Sequence, residues 1–296
     1  MGTLPIVTTF PQFEPISSLP PLQGFDRNVF PRWQMIPNGS FKHVFLDHAG
    51  LPGPNLTVAI VHPNKAELRE ITSVPPVPRR EFKITGKVAG HSSVQVFAPN
   101  GTTVIGQLQI VVKDEALYKI AFHRVTDGLI ETTARPQAIG NNLLQELNSI
   151  FGGQANVRFD SPYLGVSPLS LKTTLHELAM EQREPRRPQR GWDELDAQGD
   201  SNSHINVYFM KWHLASSRLP SQVLEKNSNF VFHDDMPESA VLTALAHRIG
   251  LFLGCSVSSS DRDANNIMHS ARADGINRGT AGVHFISRDC SNTMNP

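Results

Sequence analysis

Short hydrophobic runs separated by turn residues fill the chain between residues 40 and 113. Five of these runs favour β-strands, and they cover residues 41–46, 56–61, 81–85, 93–98 and 103–113. The last two runs are joined by Pro99-Asn100-Gly101, and an Asn-Gly pair is a strong signal for a tight turn between strands. The pattern predicts a small antiparallel β-sandwich.

From residue 117 onward the pattern alternates between strand-like and helix-like segments. The strand-like segments cover residues 117–125, 155–159, 204–212 and 229–233. The helix-like segments cover residues 137–151, 170–182 and 236–253. The proline-rich stretch that follows residue 182 is predicted to be a loop. This order predicts an α/β domain with a mixed sheet and two principal helices, so the whole chain is expected to be α+β.

The helix predicted over residues 236–253 has small or apolar residues on two faces. Asp235 and Glu238 have the spacing of an N-terminal capping box, and Gly254 is placed to end the helix. At 100° per residue, one apolar stripe consists of Val241, Leu242, Leu245, Ile249, Phe252 and Leu253. The opposite face consists of His247, Gly250, Leu251 and Gly254. We therefore expect this helix to lie between two layers, or between a sheet and a cleft.

The charge balance argues against two classes of partner. The 27 lysines and arginines equal the 27 aspartates and glutamates, so no field of one sign steers the chain to nucleic acid or to an anionic membrane. No apolar run is long enough to span a bilayer. The N-terminus has neither the basic start nor the uninterrupted apolar core of a secretory signal. We expect a cytoplasmic protein or one exported by a leaderless route.

Composition also suggests how the chain is divided. Six prolines exclude a regular helix from residues 1–35, which we predict to be an extended arm. An immunoglobulin-like β-sandwich is expected over residues 36–115 and a second domain over residues 116–296. The two cysteines, Cys255 and Cys290, cannot form a disulfide framework. They either form a single bond or remain two thiols.

The segment LTALAHRIGLFLGCSV, followed by NNIMHS, resembles the zinc-binding helix and methionine turn of metzincin metallopeptidases. The motif of that family is His-Glu-x-x-His-x-x-Gly-x-x-His with a methionine turn downstream. The resemblance makes His247 the first zinc ligand, Gly254 the glycine that turns the chain, and Met268 the turn methionine. It implies a metzincin-like α/β fold over residues 116–296, in which the helix is a former active-site helix.

Three positions depart from the family motif. Arg248 stands where the catalytic glutamate is expected, Leu251 replaces the second histidine and Val257 the third. Catalytic zinc needs three protein ligands, so His247 alone cannot chelate it. Arginine stays protonated and cannot act as the general base. The sequence therefore predicts a degenerate site with no catalytic residue and no cofactor, in which His247 is a vestigial metal ligand.

Other residues are candidate metal ligands. A rebuilt zinc site would require further histidines to converge on His247 after folding, and the candidates are His213, His233, His269 and His284. A second His-Glu pair, His176-Glu177, has Met180 where the next histidine of a zinc motif would stand, and it is better explained as part of a surface helix.

The resulting hypothesis is a catalytically inactive, metallopeptidase-like protein of two domains, of a bacterial secreted or assembly-associated type. We expect it to bind an unknown protein partner through its cleft or its β-sandwich. One alternative is an active zinc metallopeptidase with unconventional ligands. The other is a component or cargo of a larger assembly, docked by its N-terminal arm.

Overall fold

A computed structural model of the chain describes residues 11–15, 24–27, 29–47, 56–71, 79–130, 132–213, 223–234, 236–257 and 266–269. The fold is mixed α+β, with three sheets and four helices among these residues. The chain divides into two units with the main boundary between Glu115 and Ala116, and the short segment Gly153–Asn156 is grouped with the first unit. No helix in the described ranges is long and apolar enough to cross a membrane.

The described part of the first unit forms two sheets. Its strands are β1 (Gln12–Pro15), β2 (Phe25–Asp26), β3 (Arg32–Pro37), β4 (Phe41–Asp47), β5 (Thr57–Ile60), β6 (Ala66–Ile71), β7 (Arg79–Gly86), β8 (Gly90–Phe97) and β9 (Val104–Lys113). One sheet has the order β1-β4-β7-β6 and the other β2-β3-β9-β8-β5. The β3–β9 pair is parallel and the other strand pairs of this unit are antiparallel.

Both sheets contribute to one hydrophobic core. The first sheet provides Phe13, Val44 and Phe82, among others, and the second provides Val94 and Leu108. The rings of Phe13 and Phe82 meet edge to face, with centroids 6.4 Å apart. Because strand residues alternate between faces, each sheet contributes one face to this core. The other face of the second sheet is partly buried as well, where Trp33, Met35 and Val111 form a smaller cluster. The five strands predicted over residues 40–113 are confirmed, with ends shifted by three residues at most.

The segment predicted as a separate arm requires a correction. In its described part, β1 pairs with β4, β2 pairs with β3, and β3 pairs with β9, so these residues are strands of the two sheets. The side chains of Phe13, Phe25 and Trp33 are buried. Prolines exclude a helix but are tolerated at strand ends and sheet edges, and Pro15 is the last residue of β1. The predicted boundary at residue 35 falls inside β3.

The second unit contains one mixed sheet and four helices in its described part. Its elements are β10 (Ala116–Thr126), α1 (Ile139–Ala155), β11 (Val157–Asp160), β12 (Ser167–Ser170), α2 (Leu175–Arg183), α3 (Arg190–Gln198), β13 (Ile205–Met210), β14 (Leu224–Lys226), β15 (Asn229–His233) and α4 (Glu238–Phe252). The sheet order is β11-β10-β13-β15-β14, and β12 also pairs with β10. β14 is antiparallel to β15, and the other pairs are parallel.

The sheet of the second unit is covered on both faces. Every residue of β13 and β15 is buried, which is typical of parallel strands between two layers. On one face, Leu178 of α2 and Trp192 of α3 pack with Tyr208 of β13 and Val231 of β15. The segments predicted as strands or helices from residue 117 onward are confirmed as elements, although α2 begins at Leu175, five residues later than predicted.

Helix α3 is a second correction. The sequence predicts a loop after residue 182 and no helix before the strand at residue 204, whereas the structure has a helix from Arg190 to Gln198. The buried carboxylate of Glu181 on α2 accepts hydrogen bonds from the backbone N–H groups of Gly191 and Trp192, at 3.1 and 3.3 Å. A carboxylate at a helix N-terminus satisfies free N–H donors and complements the helix dipole. This cap comes from another helix, so it cannot be read from the local sequence.

Candidate functional site

Helix α4, which carries His247 and Arg248, follows β15 directly. Its N-cap residue is Pro237, which provides no side-chain hydrogen bond, and Asp235 lies outside the described residues. Glu238 accepts a hydrogen bond from Asn142 Nδ2 at 3.3 Å. Because Asp235 lies outside the described residues, the capping box between Asp235 and Glu238 stays a prediction.

The C-terminus of α4 is a Schellman motif around Gly254. The φ angle of Gly254 is +93°, in the left-handed region where a side chain is strained. Its N–H donates to the carbonyl of Leu251, and the N–H of Cys255 donates to the carbonyl of Gly250, both at 2.9 Å. Cys255 is buried and disulfide-bonded, and Cys290 lies outside the described residues.

Helix α4 is buried on both of the faces that the sequence distinguished. Val241, Leu245 and Ile249 of the apolar stripe are fully buried, and so are His247 and Gly250 of the opposite face. A helix buried on both sides lies between two layers, as expected. One member of the stripe is an exception, because Phe252 is 42% exposed. It lies in the last turn of the helix, and its ring faces the ring of Tyr118 edge-on, with centroids 6.4 Å apart.

His247 and the turn that contains Met268 are in contact. The imidazole is 1% exposed and its Nδ1 donates a hydrogen bond to the carbonyl of Ile267 at 2.9 Å. The turn is closed by Asn266, whose Oδ1 accepts from the N–H of Met268 and whose carbonyl accepts from the N–H of His269, both at 3.0 Å. The methionine turn therefore lies against α4 at the level of His247.

Gly250 explains how the turn approaches so closely. A methyl group built on its Cα would lie 2.2 Å from Met268 Sδ, which is far inside van der Waals contact. Met268 is itself buried, so its sulfur occupies the volume that a side chain at position 250 would need. Only glycine allows this packing between the helix and the turn.

Arg248, the residue that the resemblance aligns with a catalytic glutamate, forms an ion pair. Its Nη1 lies 2.7 Å from Oε1 of Glu225, and the two side chains are 14% and 34% exposed. Glu225 is the middle residue of β14, the antiparallel strand at the edge of the sheet. The guanidinium therefore joins α4 to the edge strand through a charge-assisted hydrogen bond.

The remaining ligand positions carry no metal-binding atoms. Leu251 follows His247 by one helical turn and is aliphatic, and Val257 is 52% exposed. His247 keeps an arrangement that is common among zinc ligands, with one ring nitrogen oriented by a backbone carbonyl. It is nevertheless the only ligand at the three motif positions. Within the described ranges, no three His, Cys, Asp or Glu side chains are close enough to hold a metal ion. These residues do not fit zinc.

Of the four other candidate histidines, the structure describes three. His213 Nε2 is hydrogen-bonded to Oδ2 of Asp127, a carboxylate that is buried beyond the end of β10. His233 is the last residue of β15, and its backbone carbonyl accepts from Arg135 Nη2 at 3.1 Å. His269 belongs to the methionine turn, and His284 lies outside the described residues.

The His176-Glu177 pair has a structural role on α2. Glu177 forms a capping box with Thr174, in which the threonine hydroxyl accepts from the N–H of Glu177 and the glutamate accepts from the N–H of Thr174. The ring of His176 meets Trp212 at 6.4 Å. This pair is part of a surface helix, as expected.

A groove of about 820 Å³ lies along α2 and α3. Two of its carboxylates hold the backbone in place: Glu181 accepts from the N-terminus of α3, and Glu194 accepts from the N–H groups of Lys172 and Thr173 at 2.8 and 3.0 Å. Because these carboxylate oxygens are already hydrogen-bonded to backbone N–H groups, we assign no chemistry to the groove.

Sequence reasoning missed two partners at these sites. Glu225 lies in a three-residue strand without a hydrophobic pattern, and Asp127 is separated from His213 by 86 residues. Neighbouring parallel strands bring Asp127 and His213 together, because β10 and β13 end at the same edge of the sheet. No local motif signals either contact.

Comparisons with known proteins give weak structural similarities. No protein-family model and no curated protein matches the sequence. The chain is similar to the solved structure of wild-type OgpA from Akkermansia muciniphila, with 13% identity over 61% of this chain and 60% of that chain and a TM-score of 0.38. It is also similar to domains 4 and 5 of the S-layer protein SbsC, with 14% identity over 34% of this chain and 53% of that chain and a TM-score of 0.21.

A third similarity is to the titin domains z1z2 in complex with telethonin, with 14% identity over 40% of this chain and 59% of that chain and a TM-score of 0.21. The chain spans between 11% and 53% of the length of the SbsC structures that it matches. TM-scores at this level carry no argument about function. The site is therefore interpreted from its own residues.

Proposed function

We propose that this chain is a non-hydrolytic binding or structural protein, made of an immunoglobulin-like domain and a metzincin-like domain that no longer performs metal chemistry. The observation that carries this proposal is the ion pair between Arg248 and Glu225. The guanidinium of Arg248 joins α4 to β14 through this ion pair. It stands at the position where a hydrolytic mechanism would need a free carboxylate.

The immunoglobulin-like assignment is supported by the strand orders of the first unit. In that fold one sheet has the strand order A-B-E-D and the other contains C, F and G. The order β1-β4-β7-β6 corresponds to A-B-E-D, and β9-β8-β5 corresponds to G-F-C. β3 extends the second sheet by pairing in parallel with β9.

The metzincin-like assignment is supported by the packing around α4. The resemblance implied a helix after the last strand, a histidine on its inner face and a methionine turn beneath it. His247 is buried and hydrogen-bonded to Ile267, and Met268 Sδ fills the space above Gly250. These contacts support a site arranged like the family motif, in which two of the three ligands are absent.

The chemistry available at this position excludes the mechanism of the family. Hydrolysis by a zinc peptidase needs a metal held by three ligands and a base that takes a proton from the attacking water. Arg248 cannot accept that proton, and its charge repels a nearby cation. Leu251 and Val257 have no lone pairs to donate. Without metal chemistry, the domain offers a packed scaffold and the edge strand β14. The edge strand is suited to contacting another protein.

Docking of a larger assembly by a free N-terminal arm is less well supported. The described residues of that segment are strands with buried side chains, so they already pair within the first unit. A role in an assembly would instead use the surfaces of the folded units.

A peptidase assay tests the proposal. The purified chain, supplied with zinc, should leave an unfolded generic protein substrate intact over hours, while a known zinc peptidase in the same buffer degrades it. His247→Ala should be indistinguishable from the parent chain. Cleavage that a chelator abolishes, and that the His247→Ala variant lacks, would establish the rival hypothesis of an active metallopeptidase with unconventional ligands.

A further inference from the structure

A buried histidine on β10 lies in a polar layer between the sheet of the second unit and α3. His123 is 2% exposed, and its Nε2 lies 2.9 Å from Oδ1 of Asn206 on β13. Its ring stacks on Tyr208, with centroids 4.9 Å apart and planes inclined by 22°. None of these residues belongs to the degenerate motif on α4.

The hydrogen bonds of Asn206 fix the protonation of this imidazole. Asn206 Oδ1 also accepts from the backbone N–H of Asp200 at 2.9 Å, so this atom is the amide oxygen. His123 Nε2 must therefore carry the hydrogen and donate it. Nδ1 is the unprotonated nitrogen, and it is buried with no hydrogen-bond partner among the residues that the structure describes.

Among the described residues, the charged and titratable groups around His123 do not provide an acceptor for a second ring proton. Asp200, on the segment after α3, is the nearby charge, but its carboxylate accepts from Ser203 Oγ at 2.6 Å and from the N–H of Asn202 at 3.2 Å. Tyr208 on β13 directs its hydroxyl to α3, and Tyr163, before β12, presents its ring at 6.3 Å. Asp196 on α3 is bonded to Asn229 of β15.

The same layer attaches the end of α3 to the sheet. Tyr208 Oη donates toward the carbonyl of Leu195 at 3.1 Å and lies 3.2 Å from Asn229 Oδ1. Residues 195–204, which we call the α3 exit segment, are therefore held through Leu195, Asp196 and Asp200. A charge on His123 would have to be hydrated, because a buried ion without partners is costly. Water can reach the imidazole ring only if an element packed against it moves away.

We propose that His123 is a proton-controlled latch, whose protonation in mildly acidic solution releases the α3 exit segment from the sheet. Burial lowers the pKa of the His123 imidazole, an effect that the Asn206 hydrogen bond and the Asp200 charge offset only in part. A histidine whose folded-state pKa is lowered contributes stability above its unfolded value, near 6.5, and this stability is lost as the pH falls toward the folded value. The segment is closed at neutral pH and opens on acidification.

Hydrogen exchange of the full chain tests the latch. At pH 5.0, after correction for intrinsic exchange rates, protection of residues 195–204 should fall by roughly tenfold or more relative to pH 7.5. Residues 139–152 of α1 should keep their protection. In His123→Gln, which retains an amide donor but cannot titrate, the acid-induced loss should disappear. The matched control His176→Gln, at an exposed histidine of α2, should behave like the parent chain.

Two outcomes would overturn the latch: equal corrected protection of residues 195–204 at both pH values, or an acid-induced loss that persists in His123→Gln. If that variant does not fold, nitrogen NMR of the parent chain decides. The latch requires an Nε2–H tautomer of His123 that titrates over the pH range in which the segment opens. A ring that stays neutral while the segment opens contradicts it.

Discussion

Replacing Gly250 by alanine should lower the free energy of unfolding by about 2 kcal/mol, although alanine is the better helix former. The new methyl group would lie 2.2 Å from Met268 Sδ and 3.2 Å from its Cε. Met268 is buried, so its side chain has no solvent-filled space to move into. Either α4 or the methionine turn must shift, and chemical denaturation would measure the cost.

The same substitution in α1 provides the matched control. A methyl group on Gly152 would meet only the carbonyl oxygen of Val157 at 3.8 Å, which is ordinary contact. Gly152→Ala should therefore leave stability unchanged or raise it by up to about 1 kcal/mol. The double variant Gly250→Ala, Met268→Ala should show a favourable coupling, because removing the sulfur makes room for the methyl group. Full stability of Gly250→Ala alone would mean that the turn does not pack against α4.

Arg248→Glu should also destabilise the chain by about 2 kcal/mol, and it should not create peptidase activity. The substitution removes a charge-assisted hydrogen bond and places two carboxylates beside each other, at positions 248 and 225. It installs the residue type that the family motif requires, but two of the three ligand positions remain aliphatic. Denaturation and the peptidase assay would be run on the same preparation.

The charge-reversed pair separates the ion pair from other effects of the substitution. Glu225→Arg alone should destabilise in the same way, while the combination Arg248→Glu, Glu225→Arg should recover at least part of the loss. Arg248→Leu is the neutral control, and it should cost less than Arg248→Glu because it removes the attraction without adding repulsion. If the two single variants add without coupling, the pair does not join α4 to β14.

Regular patterns along the chain were sufficient to predict most of the elements. Apolar and polar residues alternate in β8 and β9, and β15 is an apolar run. Both patterns predicted strands, because they reflect which side chains of each strand are buried. The short strands β12 and β14 were missed, since three or four residues do not establish a period and β12 contains Pro168. β1 to β3 were missed because their proline-rich surroundings hide the pairing.

Only the part of the site that lies in the local sequence motif on and after α4 could be predicted. The positions of His247, Gly254 and Met268 come from a local motif, and the replaced residues at 248, 251 and 257 can be read directly. The contacts that give these residues their roles come from elsewhere in the chain. Glu225 reaches Arg248 across 23 positions, and Asn206 reaches His123 across 83. Long-range contacts of this kind are set by sheet order, which the sequence alone did not provide.

Zinc content is the most direct measure of the central claim that the scaffold has been kept and its metal chemistry lost. The chain would be purified without chelator, dialysed against zinc and then against buffer, and analysed for the metal alongside His247→Ala. We expect far less than one zinc ion per chain, with no difference between the two proteins. One zinc ion per chain in the parent protein, lost in His247→Ala, would contradict the account.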